Sequence, residues 1–93
     1  EIAKALGDKK VAIMQNHGIL TTGPSVDIAL WFYMSMERCC QAQLMAEAAG
    51  KPVIIPHDTA IKTREFIAND IAAWASYQPA FDKIIKMQPD LLD

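Results

Sequence analysis

Apolar positions along this chain change their spacing three times, and each change marks an element. Val-Ala-Ile-Met at 11–14 is an unbroken apolar run bracketed by polar residues. It is too short for a helix and predicts a strand over Val11–Gln15, covered on both faces like a central strand between helix layers. Asn16-His17-Gly18 is a turn signal. Ile19–Thr22, rich in β-branched residues and closed by Gly23-Pro24, predicts a second short strand able to pair with the first as a hairpin. Helical spacing then takes over. Ser25 suits an N-cap, Asp27 in the first turn complements the helix dipole, and Gly50 followed by Lys51-Pro52 is a stop, so a helix is expected over Val26–Ala49. Its front, Ala29–Met34, is apolar on nearly every side. At about 100° per residue, Asp27, Glu37, Arg38 and Gln41 make only a narrow polar stripe. Such a helix is buried by more than one neighbour, a sheet on one side and further sequence or another subunit on the other. Gln43 and Glu47, one turn apart on the apolar side, read as a hydrogen-bonded pair or a locally exposed spot.

Lys51–Pro56 is an extended connector bounded by prolines. Asp58 or Thr59 caps a second helix from Ala60 to about Ser76, with Ala60, Ile67, Ile71 and Trp74 as its apolar face. Pro79 fits the first turn of a last helix, Ala80–Gln88, because its missing N–H costs nothing there, and Pro89 ends it. At the other end, Glu1–Lys10 reads as the last turns of a helix with Gly7 as C-terminal cap. A domain seldom opens on the end of a helix, so residues 1–93 are expected to be the C-terminal portion of a single larger domain. The competing reading is a short protein trimmed of its first residues. No repeat, low-complexity segment or flexible linker interrupts the chain.

Composition narrows the function classes. The 93 residues are 52% hydrophobic and 22% charged, a balance that folds. A net charge of −2 without clustered Lys and Arg offers no footprint for a nucleic-acid backbone. No apolar run reaches membrane-spanning length and no signal peptide is visible, which points to the cytoplasm. The two cysteines, Cys39 and Cys40, are adjacent on a helix expected to be buried. They read as free thiols in a reducing compartment, too divergent in direction to bridge or to share a metal.

Motifs for phosphate loops and nucleophile elbows are absent, and the carboxylates sit where solvation or helix starts explain them. The methionines Met34, Met36 and Met45 read as core fillers. Of the two histidines, His57 reads as a solvated loop residue near a helix start. His17 stands at the end of a strand expected to be rigid and buried, beside Gly18, which allows close backbone approach, and Asn16, which can anchor the turn. Two roles remain open for it on pattern alone, a structural turn residue or a ligand. A zinc site needs three or four ligands, more than this chain can supply.

The stretch KKVAIMQNHGILTTGPSVDIALWFYMSMERCCQAQLMAEAAG resembles the C-terminal half of the class II aldolase/adducin family. The apolar strand, the N-H-G turn, the short second strand, the small turn and the long helix occur in the family's order. The helix text MERCCQAQLMAEAAG and the tail AAWASYQPAFDKIIKMQPDLLD are similar to fungal and bacterial class II aldolase/adducin domain proteins. The resemblance implies an α/β fold, a three-layer α/β/α sandwich with a mostly antiparallel sheet, to which this chain gives two short strands followed by three helices. It implies a homo-oligomer, often a tetramer with sites between subunits. It also implies a divalent metal, usually zinc, held by three histidines. His17 would be the third, the other two coming from an upstream H-x-H pair, with an upstream acidic residue as acid/base. The implied activity is a zinc-dependent lyase acting on a small sugar phosphate or hydroxy-ketone. Its site is incomplete in this chain, which alone is expected to be inactive. The alternative is a non-catalytic, adducin-like assembly module.

Overall fold

A computed structural model describes all residues, 1–93. The chain runs α1 (Ile2–Leu6), β1 (Val11–Met14), β2 (Gly18–Thr21), α2 (Val26–Ala49), α3 (His57–Ile67) and α4 (Asp70–Met87), and closes in a 3₁₀ turn at Pro89–Leu92. Both strands form an antiparallel hairpin in which Val11 faces Thr21, Ile13 faces Ile19 and Met14 faces Gly18. Residues two apart share a face of a strand, so Val11, Ile13, Ile19 and Thr21 form one side, the side on which α2 packs. The Thr21 hydroxyl donates to the Ala29 carbonyl at 2.8 Å and fastens the end of β2 to the first turns of α2.

The long helix begins and ends where its signals place it. Ser25 is the N-cap, its side chain accepting the Ile28 N–H at 3.3 Å, and Gly50 follows the last helical residue. Helix α4 crosses α2 through alanine. Ala73 is fully buried against Ile28 and Phe32, with Val11 and Trp31 packed at the edge of this cluster. The absence of a bulky side chain at Ala73 lets the two helices approach closely. A second tie comes from Gln78, which donates to the Asp27 carboxylate at 3.0 Å and to the Trp74 carbonyl at 3.1 Å.

Two expectations are corrected. The helix boundary falls at Asn69, not at Pro79, which lies inside α4. Asn69 terminates both helices at once. Its Oδ1 accepts the Ala72 N–H at 2.9 Å, while its Nδ2 donates to the Phe66 carbonyl at 2.9 Å and the Glu65 carbonyl at 3.3 Å. This break resets the helical phase, so Ile67, Ile71 and Trp74 are more than half exposed and Ala73 takes the core position. The second correction concerns the cysteines. Cys39 is exposed and Cys40 half-buried, because α2 emerges from its neighbours after Met36 and is exposed from Gln41 to its end. Gln43 and Glu47 form their pair there, in the open, at 3.1 Å.

Only Ile28, Phe32 and Ala73 are buried among the 93 residues. The radius of gyration is 15.6 Å, against about 12 Å for a compact chain of this length. The apolar front of α2, covered on one side by the hairpin and α4, leaves Leu30 and Tyr33 exposed.

Candidate site at the hairpin turn

His17 lies in the three-residue loop of the β1–β2 hairpin. Its N–H donates to the Met14 carbonyl at 3.2 Å and closes a β-turn over residues 14–17. Asn16, the third residue of that turn, has φ 61°, the conformation that type II turns demand there and that asparagine tolerates. Gly18 follows with φ 125°, open to a glycine and strained for other residues, and no atom lies within 4 Å of where a Cβ would stand. The local sequence therefore fixes the loop by backbone means. It is not the buried strand end that the apolar run suggests. His17 is exposed, and Ile13 on β1 remains 65% exposed.

The His17 imidazole makes no hydrogen bond and no ion pair with the rest of the chain. Both ring nitrogens are thus open to an outside partner. No three His, Cys, Asp or Glu side chains come together in a metal-holding arrangement. His57 is the exposed first residue of α3, and the cysteines lie along α2. His57 is likewise exposed and unengaged, so what sets His17 apart is the pinned turn that carries it, and a divalent metal bound there would take its remaining donors from elsewhere.

Two hollows lie away from the hairpin turn. One, of about 540 Å³, opens between α2 and the α3–α4 junction and is lined mainly by apolar side chains, Trp31, Phe32, Phe66 and Ile67 among them. The other is polar, with Asp8, Lys9, Lys10, Arg64 and Glu65 at its rim. There the Lys9 ammonium, 3.2 Å away, holds the Asp8 carboxyl below its ordinary range by hydrogen bonding and charge. Lys10 lies over the Phe32 ring at 5.4 Å. Neither that stacking nor the Gln78–Asp27 bond was visible in the sequence, since each joins residues brought together by the α2 packing.

Comparison with known proteins places this geometry. Residues 1–44 match the family described as Class II Aldolase and Adducin N-terminal domain. The fold superposes on an L-fuculose 1-phosphate aldolase from Glaciozyma antarctica PI12 with a TM-score of 0.92 at 37% identity, over 96% of this chain and 36% of that one. The chain belongs to the class II aldolase/adducin family. Its two strands and helices are therefore part of an α/β aldolase fold, as the N-H-G turn and its flanking elements imply. Among curated relatives, the decarboxylase NovR of Streptomyces niveus is 39% identical over 97% of this chain and 33% of its own length. A 4-hydroxy-3-prenylphenylpyruvate oxygenase/4-hydroxy-3-prenylbenzoate synthase of Streptomyces roseochromogenus subsp. oscitans is 37% identical over the same share of this chain and 32% of its own. The chain spans about a third of the length of these relatives. No helix is long and apolar enough to cross a membrane.

Proposed function

We propose that the full-length protein is a metal-dependent lyase of the class II aldolase type that breaks a carbon–carbon bond beside a carbonyl, and that His17 is one of its metal ligands. The observation carrying this is the unengaged His17 imidazole on a conformationally pinned turn, in a fold shared with a sugar-phosphate aldolase. A divalent metal such as zinc, when bound, polarises a carbonyl oxygen and stabilises the negative charge that bond cleavage leaves beside it. His17 serves as a neutral donor through one ring nitrogen and holds the other for an acceptor outside these residues. The hairpin keeps the imidazole in place during the reaction, as a pinned turn does better than a mobile loop. The substrate is a small sugar phosphate or hydroxy-ketone. The remaining ligands and the acid/base come from sequence beyond these 93 residues, and a homo-oligomer completes the site.

A second reading follows from the decarboxylase relative. Loss of carbon dioxide from a 3-oxo acid also breaks a carbon–carbon bond and also leaves an electron pair that the neighbouring carbonyl accepts as an enolate. The two readings share one electrophilic site and differ in the leaving fragment. Incubating the full-length protein with ketose 1-phosphates and, separately, with 3-oxo acids distinguishes them by product. Aldehyde formation identifies the aldolase, and carbon dioxide release the decarboxylase. Neither product, with zinc, manganese or cobalt supplied, overturns the lyase assignment.

A further inference from the structure

His17 is flanked by two residues in backbone conformations that side chains rarely adopt, Asn16 at φ 61° and Gly18 at φ 125°. Asn16 is the one non-glycine residue of the chain with positive φ. Left-handed backbone is disfavoured wherever a Cβ is present, and asparagine accepts it better than most. Residues held this way cluster where surrounding structure fixes a functional group. An asparagine next to a ligand can act in two ways, through its amide or through its backbone. Here the amide hydrogen-bonds to nothing in the chain. The backbone, by contrast, sets the turn. A return of Asn16 to negative φ would swing His17 away from its present direction and break the 3.2 Å bond to the Met14 carbonyl.

We propose that Asn16 is a positioning residue that aims the His17 imidazole at a divalent metal through its left-handed backbone, and not through its amide. This rests on the assignment of His17 as a ligand. It predicts an unusual ranking of substitutions, in which glycine replaces asparagine better than any side chain of similar polarity.

The test uses the full-length protein with zinc affinity measured by chelator competition, the ligand-field spectrum of bound cobalt, and thermal unfolding. Asn16→Gly removes the amide and keeps the conformation, so its zinc affinity should stay within about twofold of wild type, with an unchanged cobalt spectrum. Asn16→Ala should weaken binding several-fold, with a ceiling of roughly five- to thirtyfold set by the cost of left-handed backbone at alanine. Equal losses in the two variants would overturn the proposal, because the amide would then be acting. So would an alanine variant with unchanged affinity and spectrum. Should alanine prevent folding, Asn16→Ser takes its place, since it too disfavours left-handed backbone, and a flat glycine–serine pair overturns the proposal. His17→Ala separates the two claims. If it keeps the metal, the ligand assignment falls and this proposal with it. If it loses the metal while the Asn16 series is flat, only the positioning role falls.

Discussion

Gly23 stands where the hairpin turns into α2, and it has no room for a methyl group. A Cβ there would lie 2.9 Å from Ile28 Cγ2 and 3.1 Å from the Ala29 backbone nitrogen. Ile28 is one of the three buried residues, and its branched side chain has one comfortable rotamer in a helix, so neither neighbour can yield cheaply. Gly23→Ala should therefore destabilise the protein by about 1–3 kcal/mol, read as a lower urea midpoint with an unchanged slope. An unaffected midpoint would mean that α2 can shift outward freely. The contrast with Gly18 is instructive. Gly18 is open in space but constrained in φ, whereas Gly23 is constrained by space. The sequence showed both only as turn glycines, because the distinction lies in what α2 brings alongside. His17 was legible for the same reason that Gly18 was, through its place after an apolar run. Its exposure was not, since burial depends on what covers β1.

At the scale of elements, the signals that worked were those with a local mechanism. The Ser25 cap, the acidic first turn and the Gly50 stop delimit α2 at Val26–Ala49 as expected. The second helical segment misled for a physical reason as well. Proline in a helix interior removes a hydrogen bond and crowds the carbonyl four residues back, so Pro79 reads as a boundary. The helix nonetheless continues through it, packed along α2 and meeting the closing 3₁₀ turn at its end. The true boundary rests on one amide. Asn69 accepts from α4 and donates to α3, so one exposed amide is cap to two helices. Replacing it removes three hydrogen bonds at once. Asn69→Ala should cost about 1–2 kcal/mol in unfolding free energy. Asn69→Asp keeps the acceptor but loses the donor, and should fall between alanine and wild type. An alanine variant as stable as wild type would show that the α3–α4 corner is held by packing alone.

The molecule as a whole carries more apolar surface than its own residues cover. With three buried residues, and with Leu44, Met45, Val53, Ile54 and Phe66 each more than 60% exposed, the 93 residues expressed alone should associate. Light scattering across a concentration series should show growing particles, and addition of the remaining sequence in the full-length protein should suppress them. A monodisperse, monomeric 93-residue protein with a high melting temperature would contradict that account. The same incompleteness explains why the site was legible only in part. One chemistry-bearing residue, its turn and its supporting strands lie within reach of local sequence rules. No three potential metal donors gather among these residues, and only the family resemblance ties His17 to the role of a ligand.

Metal content per subunit of the full-length protein, wild type beside His17→Ala, tests that tie most directly. The account predicts one divalent metal ion per wild-type subunit and its loss in the variant, with the melting temperature of the metal-free forms unchanged. Equal metal in both proteins, or none in a wild type supplied with zinc, would contradict it and return His17 to the role of a turn residue.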